Sequence, residues 1–320
     1  MRAAVLGCGA IGAGSGTDPH PDVGVITHAG AYSACAETEL VAVCDAEPAR
    51  AEAAARHWGA RAYTDAATLL VEAEPEIVSI ATPDPTHADL LAQCLVAPGV
   101  RAVLAEKPLA LDVETARTLV ALAHERGVAL AVNYSRRFAP AFQRLREDLG
   151  IGELQHVNGL YVKGLAHNGT HWLDLLRMLA GEPVALRGFD RLREGGADPT
   201  LDAELTLPGG VGARLAGLDT RRFTAFEMDL VGTHGRVRIA ESGHVIERWT
   251  VGEDPRHPGY RVLAPGERTT GALRDTTLHA VESLVRGTPA CTGEDGVAAL
   301  ALVDAINTSA AAGGVPCGLR

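Results

Sequence analysis

From Ala3 to Val132, short apolar runs recur between longer stretches that mix Ala, Leu and Glu. The runs are Ala3–Leu6, Leu40–Cys44, Ala60–Tyr63, Ile77–Ile80, Ala102–Ala105 and Ala129–Val132. They lack polar alternation, as strands buried on both faces do. Between them, Pro48–Trp58, Thr86–Val96 and Val113–Arg126 read as helices. Strand alternating with helix predicts an α/β parallel sheet with right-handed crossovers. Asp45 ahead of Pro48, Thr86 with Asp89, and Asp112 with Gly127 at the two ends of one helix are the expected caps.

Past Tyr134 the pattern changes. A helix is expected over Pro140–Leu149 and another over Thr170–Leu179. Longer alternating strands follow at Leu154–Lys163, Val184–Asp190, Leu201–Leu207, Val211–Leu218, Phe223–Val231, Gly235–Ala240 and Val245–Val251, with helices at Ala272–Val285 and Gly293–Ala312. Runs of strands with turn signals such as Pro208-Gly209-Gly210 indicate a large, mostly antiparallel sheet in an α+β domain. The expected division is 1–134 and 135–320.

A net charge of -11 disfavours nucleic acid and anionic membrane as partners. The six cysteines form no C-x-x-C pair, as expected of reduced thiols in the cytoplasm. Glycines interrupt the N-terminal apolar run too soon for a targeting signal, and no run of about 18 apolar residues predicts a membrane span.

Gly7-Cys8-Gly9-Ala10-Ile11-Gly12 follows the first strand. Three glycines at this spacing permit a tight turn, backbone approach to a pyrophosphate and close packing of the next helix. The second strand ends at Asp45, where an acid accepts from a ribose and repels a 2′-phosphate, favouring NAD over NADP. Asp45 lies further on than the usual spacing of about 20 residues. The excess sits in Ala13–Gly30, read as an inserted polar loop holding Ser15, Thr17, Asp18, His20, Pro21, Asp22 and His28.

Glu106-Lys107-Pro108 closes the fifth run, at the strand end where such sheets present groups to a ligand. Oxidising a secondary alcohol needs a hydride acceptor, a base, and a cation or donor near the developing alkoxide. Lys107 suits the last task. His171 suits the base, with Asp174 one turn on either orienting it or pairing with Arg177. His167 and His171 have zinc-histidine spacing, but Asn168 stands where a glutamate would and no third ligand is evident, so no metal is expected. Thr82 and Pro83 end the fourth strand at the expected cofactor crevice. Tyr161 and Lys163, alternating on the strand before the histidine helix, are further substrate candidates.

The glycine turn, Ala81-Thr82-Pro83 with His87, Glu106-Lys107-Pro108, Asn133-Tyr134-Ser135-Arg136-Arg137-Phe138 and His171-x-x-Asp174 occur in this order. Together they resemble the Gfo/Idh/MocA oxidoreductase family over nearly the whole chain. The resemblance implies a Rossmann domain plus a domain with a large open sheet, and NAD(P)-dependent chemistry on sugars, nucleotide sugars or cyclitols in a homodimer or homotetramer. It implies catalytic roles for Lys107 and His171. It also implies cofactor contacts from Gly7, Gly9, Ala10, Ile11, Gly12, Asp45, Ala81, Thr82, Pro83, His87 and Glu106, with His167 and Asn168 near substrate. Many members carry aspartate where this chain has His167. The resemblance also allows an NAD-recycling glycosidase or epimerase, or a non-catalytic NAD-binding sensor.

Overall fold

The computed structural model describes residues 1–14, 22–219 and 223–319. They pack as two units, Met1–Ala139 with Arg274–Ala298, and Pro140–Leu273 with Ala299–Arg320.

The first unit holds β1 (Arg2–Leu6), α1 (His28–Ala34), β2 (Glu39–Cys44), α2 (Pro48–Trp58), β3 (Arg61–Tyr63), α3 (Ala66–Ala73), β4 (Ile77–Ile80), α4 (His87–Val96), β5 (Ala102–Ala105), α5 (Val113–Arg126) and β6 (Ala129–Val132). Its strands form one parallel sheet in the order β3-β2-β1-β4-β5-β6. The order reverses between β1 and β4, and at such a switch point the strand ends leave a crevice for a ligand. β4 and β5 are buried at every position, which explains their unbroken apolar runs. Asp112 caps α5 by accepting from the Thr115 N–H, and Gly127 ends it in the left-handed region at φ 65°. The expected Thr86–Asp89 cap does not form: the Thr86 hydroxyl turns back to the Pro83 carbonyl at 2.7 Å.

The second unit holds α6 (Pro140–Glu147), β7 (Leu154–Tyr161), α7 (Thr170–Ala180), β8 (Ala185–Phe189), β9 (Asp202–Thr206), β10 (Gly212–Gly217), β11 (Phe226–Gly232), β12 (Gly235–Ala240), β13 (Val245–Glu253), β14 (Arg261–Thr269) and β15 (Cys317–Gly318). The sheet order is β14-β13-β12-β11-β7-β10-β9-β8-β15, antiparallel except for β7 beside β10. β11 alternates buried and half-exposed positions along its length. Its inner face carries Phe226, Met228 and Leu230, each contributing about 1.5–3 kcal/mol by burial. Its outer face pairs Glu227 with Arg238 and Asp229 with Arg236, both at 2.7 Å. Trp172 of α7 lies against Gly159 of β7, where a Cβ would fall 2.0 Å from the indole nitrogen.

The segment 274–298, which periodicity assigns to the later domain, packs with the first unit. It contains α8 (Thr276–Val285) and the start of α9 (Gly293–Ala311). Arg137, in the turn after β6, pairs with Asp295 at 3.1 Å and keeps 135–139 on this side of the division. No helix among the described residues is long and apolar enough to cross a membrane.

Candidate cofactor and catalytic site

The glycine turn begins where the Gly7 N–H donates to the Cys44 carbonyl at 2.8 Å. Gly7 has φ 98°, and a Cβ there would lie 2.4 Å from the Ala81 carbonyl oxygen. A Cβ on Gly12 would lie 1.8 Å from the Gly7 carbonyl oxygen, whereas one on Gly9 would meet nothing within 4 Å. Two of the glycines therefore serve packing, and Gly9 keeps the backbone open to a ligand. Ala10 and Ile11 are exposed beside it.

The helix that should follow this turn is split. Ala13 and Gly14 N–H groups donate to the Gly9 carbonyl, and the next donors to Ile11 and Gly12 are His28 and Ala29, at 3.0 and 2.9 Å. The hydrogen-bond ladder thus passes from Gly14 directly to His28, over the positions numbered 15–27. Discounting them brings Asp45 to about 20 positions after Gly12, the usual spacing. The expected loop over Ala13–Gly30 is therefore too long at its end: His28–Gly30 open α1, and Thr27 caps it by accepting from the Gly30 N–H. Of the loop residues singled out, Ser15, Thr17, Asp18, His20 and Pro21 lie outside the described residues. Asp275, before α8, accepts from the Val25 N–H at 2.7 Å, and the Thr277 hydroxyl donates to the Ile26 carbonyl at 2.8 Å.

Asp45 sits at the carboxyl end of β2. One carboxylate oxygen accepts from the Cys8 N–H and the other from the Glu47 N–H, both at 2.9 Å. The acid is thereby fixed against the glycine turn, with Arg50 3.8 Å away. Burial pushes the Cys8 thiol up to about 12, so it stays protonated. Ala81, Thr82 and Pro83 follow β4, with the Ala81 N–H bonded to the Leu6 carbonyl at 2.7 Å. His87 is 1% exposed, and both its ring nitrogens face carbonyl oxygens, Pro108 at 2.6 Å and Thr82 at 2.8 Å. The His87 ring clamps two turns together, beside the turn where the cofactor contact is expected.

Glu106 and Lys107 leave β5 half-buried, and the Lys107–Pro108 bond is cis. Glu106 Oε1 accepts from Asn133 Nδ2 at 2.6 Å and from His28 Nε2 at 3.0 Å. Burial pushes the Glu106 carboxyl upward, but the His28 hydrogen bond and charge, the Asn133 amide and the Lys107 charge outweigh it, and the group lies below the ordinary glutamate value. His28, which the sequence reading left in a polar loop, is fully buried. The Thr27-His28 pair followed by Ala-rich residues is the one local signal for its helix.

In the second unit, Tyr161 is fully buried, and its hydroxyl exchanges hydrogen bonds with both the Leu201 carbonyl and N–H at 2.8 Å. It anchors the core of the second unit. Lys163 is exposed with φ 69°. A single π-helical turn, Leu165–Gly169, then leads into α7. Asp198 grips this turn, one oxygen accepting from the Ala166 N–H at 2.7 Å and the other from the His167 N–H at 2.9 Å. A carboxylate at a helix N-terminus also faces its positive end. Asn168 donates to the Val162 carbonyl at 2.9 Å, which holds its amide against β7's end. The His167 side chain is exposed and His171 half-exposed. Asp174 is buried with Arg177 Nη1 at 3.5 Å. Among the described residues no group of three or more His, Cys, Asp or Glu is arranged as a metal site.

A dinucleotide fits the first unit on this unit's own features. Gly9 leaves backbone accessible, Asp45 holds a carboxylate beside the same turn, and the buried Asn133 Oδ1 has no hydrogen-bond partner among the described residues. Residues 1–134 match the GFO_IDH_MocA family, described as an oxidoreductase family with an NAD-binding Rossmann fold. The inositol 2-dehydrogenase of Rhizobium meliloti is 30% identical to this chain across 97% of each. The UDP-N-acetylglucosamine 3-dehydrogenase of Acidithiobacillus ferrooxidans is 31% identical over 68% of this chain and 66% of its own length. A solved structure of that enzyme from the same organism covers 98% of each chain at a TM-score of 0.79 and 25% identity. Similarity across both whole chains, with the glycine turn and the reversed strand order in place, makes this protein a member of the Gfo/Idh/MocA family of NAD-binding oxidoreductases.

Proposed function

We propose that the protein is an NAD-dependent dehydrogenase that oxidises, or in reverse reduces, a ring hydroxyl of a sugar, nucleotide sugar or cyclitol. The observation that carries this reading is Lys107. It follows a carboxylate held by two buried donors, at the same sheet edge as the glycine turn. The inositol, glucoside and UDP-N-acetylglucosamine dehydrogenases similar to this chain support the substrate class.

NAD, held by the glycine turn, Asp45 and the Ala81–Pro83 turn, would supply the hydride acceptor. Lys107 polarises the hydroxyl oxygen and stabilises the alkoxide as it forms. His171 moves the hydroxyl proton, a role worth roughly 10²–10⁴ in rate. Asp174 and its Arg177 partner sit one turn below and brace the helix that carries the histidine.

The test is a screen of sugars, cyclitols and nucleotide sugars for NAD reduction, followed by Lys107→Ala and His171→Ala on the best substrate. Each variant should lose turnover by about 10²-fold or more while binding NAD nearly as the parent does. Near-normal turnover in both would sink the assignment. Exchange of substrate hydrogen with bound cofactor, without net NADH, would instead indicate a recycling enzyme.

A further inference from the structure

We propose that His28 is a positioning residue for the Glu106-Lys107 pair, acting through a buried string of side chains behind it. The inference rests on the reading that Lys107 works on the substrate oxygen. Tyr32 OH lies 2.8 Å from Ser79 Oγ, Ser79 Oγ lies 2.8 Å from His28 Nδ1, and His28 Nε2 lies 3.0 Å from Glu106 Oε1. Tyr32, Ser79 and His28 are all fully buried. His28 and Tyr32 are four apart on α1 and so share a face.

Chemistry fixes the roles at the two ends of this string. An ionised Glu106 only accepts, so His28 Nε2 carries a hydrogen. His28 Nδ1 meets the Ser79 hydroxyl, which can accept from Tyr32. Burial raises the Tyr32 phenol, which keeps it a donor. The Glu106 carboxylate is pinned at one oxygen by His28 and Asn133 together. The splice from Gly14 to His28 delivers His28 to this point despite the intervening segment.

The charged groups acting on Glu106 are His28 and Lys107. Of the helices packed on β5, α4 brings His87, already bonded to the Thr82 and Pro108 carbonyls, and α8 brings His279, whose buried Nδ1 has no hydrogen-bond partner among the described residues. Glu106 is held below its ordinary value, so the ionised form is lost only as pH falls through that lowered value. Removing His28 leaves burial less opposed, and the loss then comes at higher pH.

Three variants test this: His28→Ala, His28→Gln, whose amide can still donate, and Ser79→Ala. The measurements are pH profiles of kcat and kcat/KM, NAD titrations and thermal melts. His28→Ala should lower kcat about tenfold to a hundredfold, the range for groups that orient a functional side chain from behind. Its acid limb should move to higher pH, with activity recovering as pH rises. His28→Gln should regain most of the loss, and Ser79→Ala should shift the limb less but the same way. An unmoved acid limb in His28→Ala, or in Ser79→Ala where the first does not fold, overturns the proposal, as does a glutamine no better than alanine. If Lys107→Ala destroys turnover while these limbs stay put, positioning alone fails. If Lys107→Ala keeps turnover, the functional reading itself fails.

Discussion

Gly9 and Gly12 stand in one turn yet should respond oppositely to alanine. Gly9 does not take a positive φ, and a Cβ there meets nothing within 4 Å. Alanine at a compatible glycine position commonly stabilises by about 0.4–1 kcal/mol through the unfolded chain. Gly9→Ala should therefore melt at or slightly above the parent temperature. Its methyl, however, projects where a pyrophosphate must approach the backbone. A hundredfold weaker NAD complex, about 2.7 kcal/mol, is expected. At Gly12 the Cβ would sit 1.8 Å from the Gly7 carbonyl oxygen and 2.9 Å from its carbon, and neither is a flexible side-chain end. Overpacking of this kind costs about 1–3 kcal/mol or more, so Gly12→Ala should melt lower even without cofactor. The assays are calorimetric NAD titration and cofactor-free thermal unfolding. A Gly9→Ala protein that binds NAD like the parent, or a Gly12→Ala protein with an unchanged melt, refutes the assignment of packing to one glycine and ligand approach to the other.

Asp45→Asn removes the charge that faces a ribose while keeping one acceptor for the Cys8 or Glu47 N–H; NAD should bind more weakly, and the NADP-to-NAD affinity ratio should rise at least about tenfold in paired titrations. Asp198→Ala frees the Ala166 and His167 N–H groups of the π turn; loss of such a cap costs about 0.5–2 kcal/mol, visible in denaturant melts, and kcat should fall further than that stability loss explains. Asp112→Ala removes the exposed cap of α5, and should cost about 1 kcal/mol in the same melts with kcat unchanged.

The parallel sheet was the most legible part of the chain. β4, β5 and β6 match their apolar runs residue for residue, because strands covered on both faces need no polar partner. α3 is only Ala66–Ala73, and its mean apolar character hides helical periodicity although Asp65 caps it. β14 contains Pro265 and Gly266, which read as breakers; it survives as an edge strand whose register shifts near Trp249. In the site, Lys107, Asp45 and the glycines announced themselves by motif. His28 did not, since its place depends on backbone bonds to Ile11 and Gly12 across a long gap in sequence. For Tyr161, strand alternation says which face the residue takes, not that its hydroxyl bonds to Leu201.

The ladder that closes between Gly14 and His28 sets the register of His28 through the Ile11 and Gly12 carbonyls, not through the number of residues between them. A change in that number need not move Asp45 or His28. Val23, Val25 and Ile26 are bonded to Asp275 and Thr277 at the start of α8. Natural variation in length should therefore gather here before it touches the β1–β2 crossover itself. For the same reason, this is the point in the first unit where a foreign peptide can be grafted in with the cofactor turn left in register.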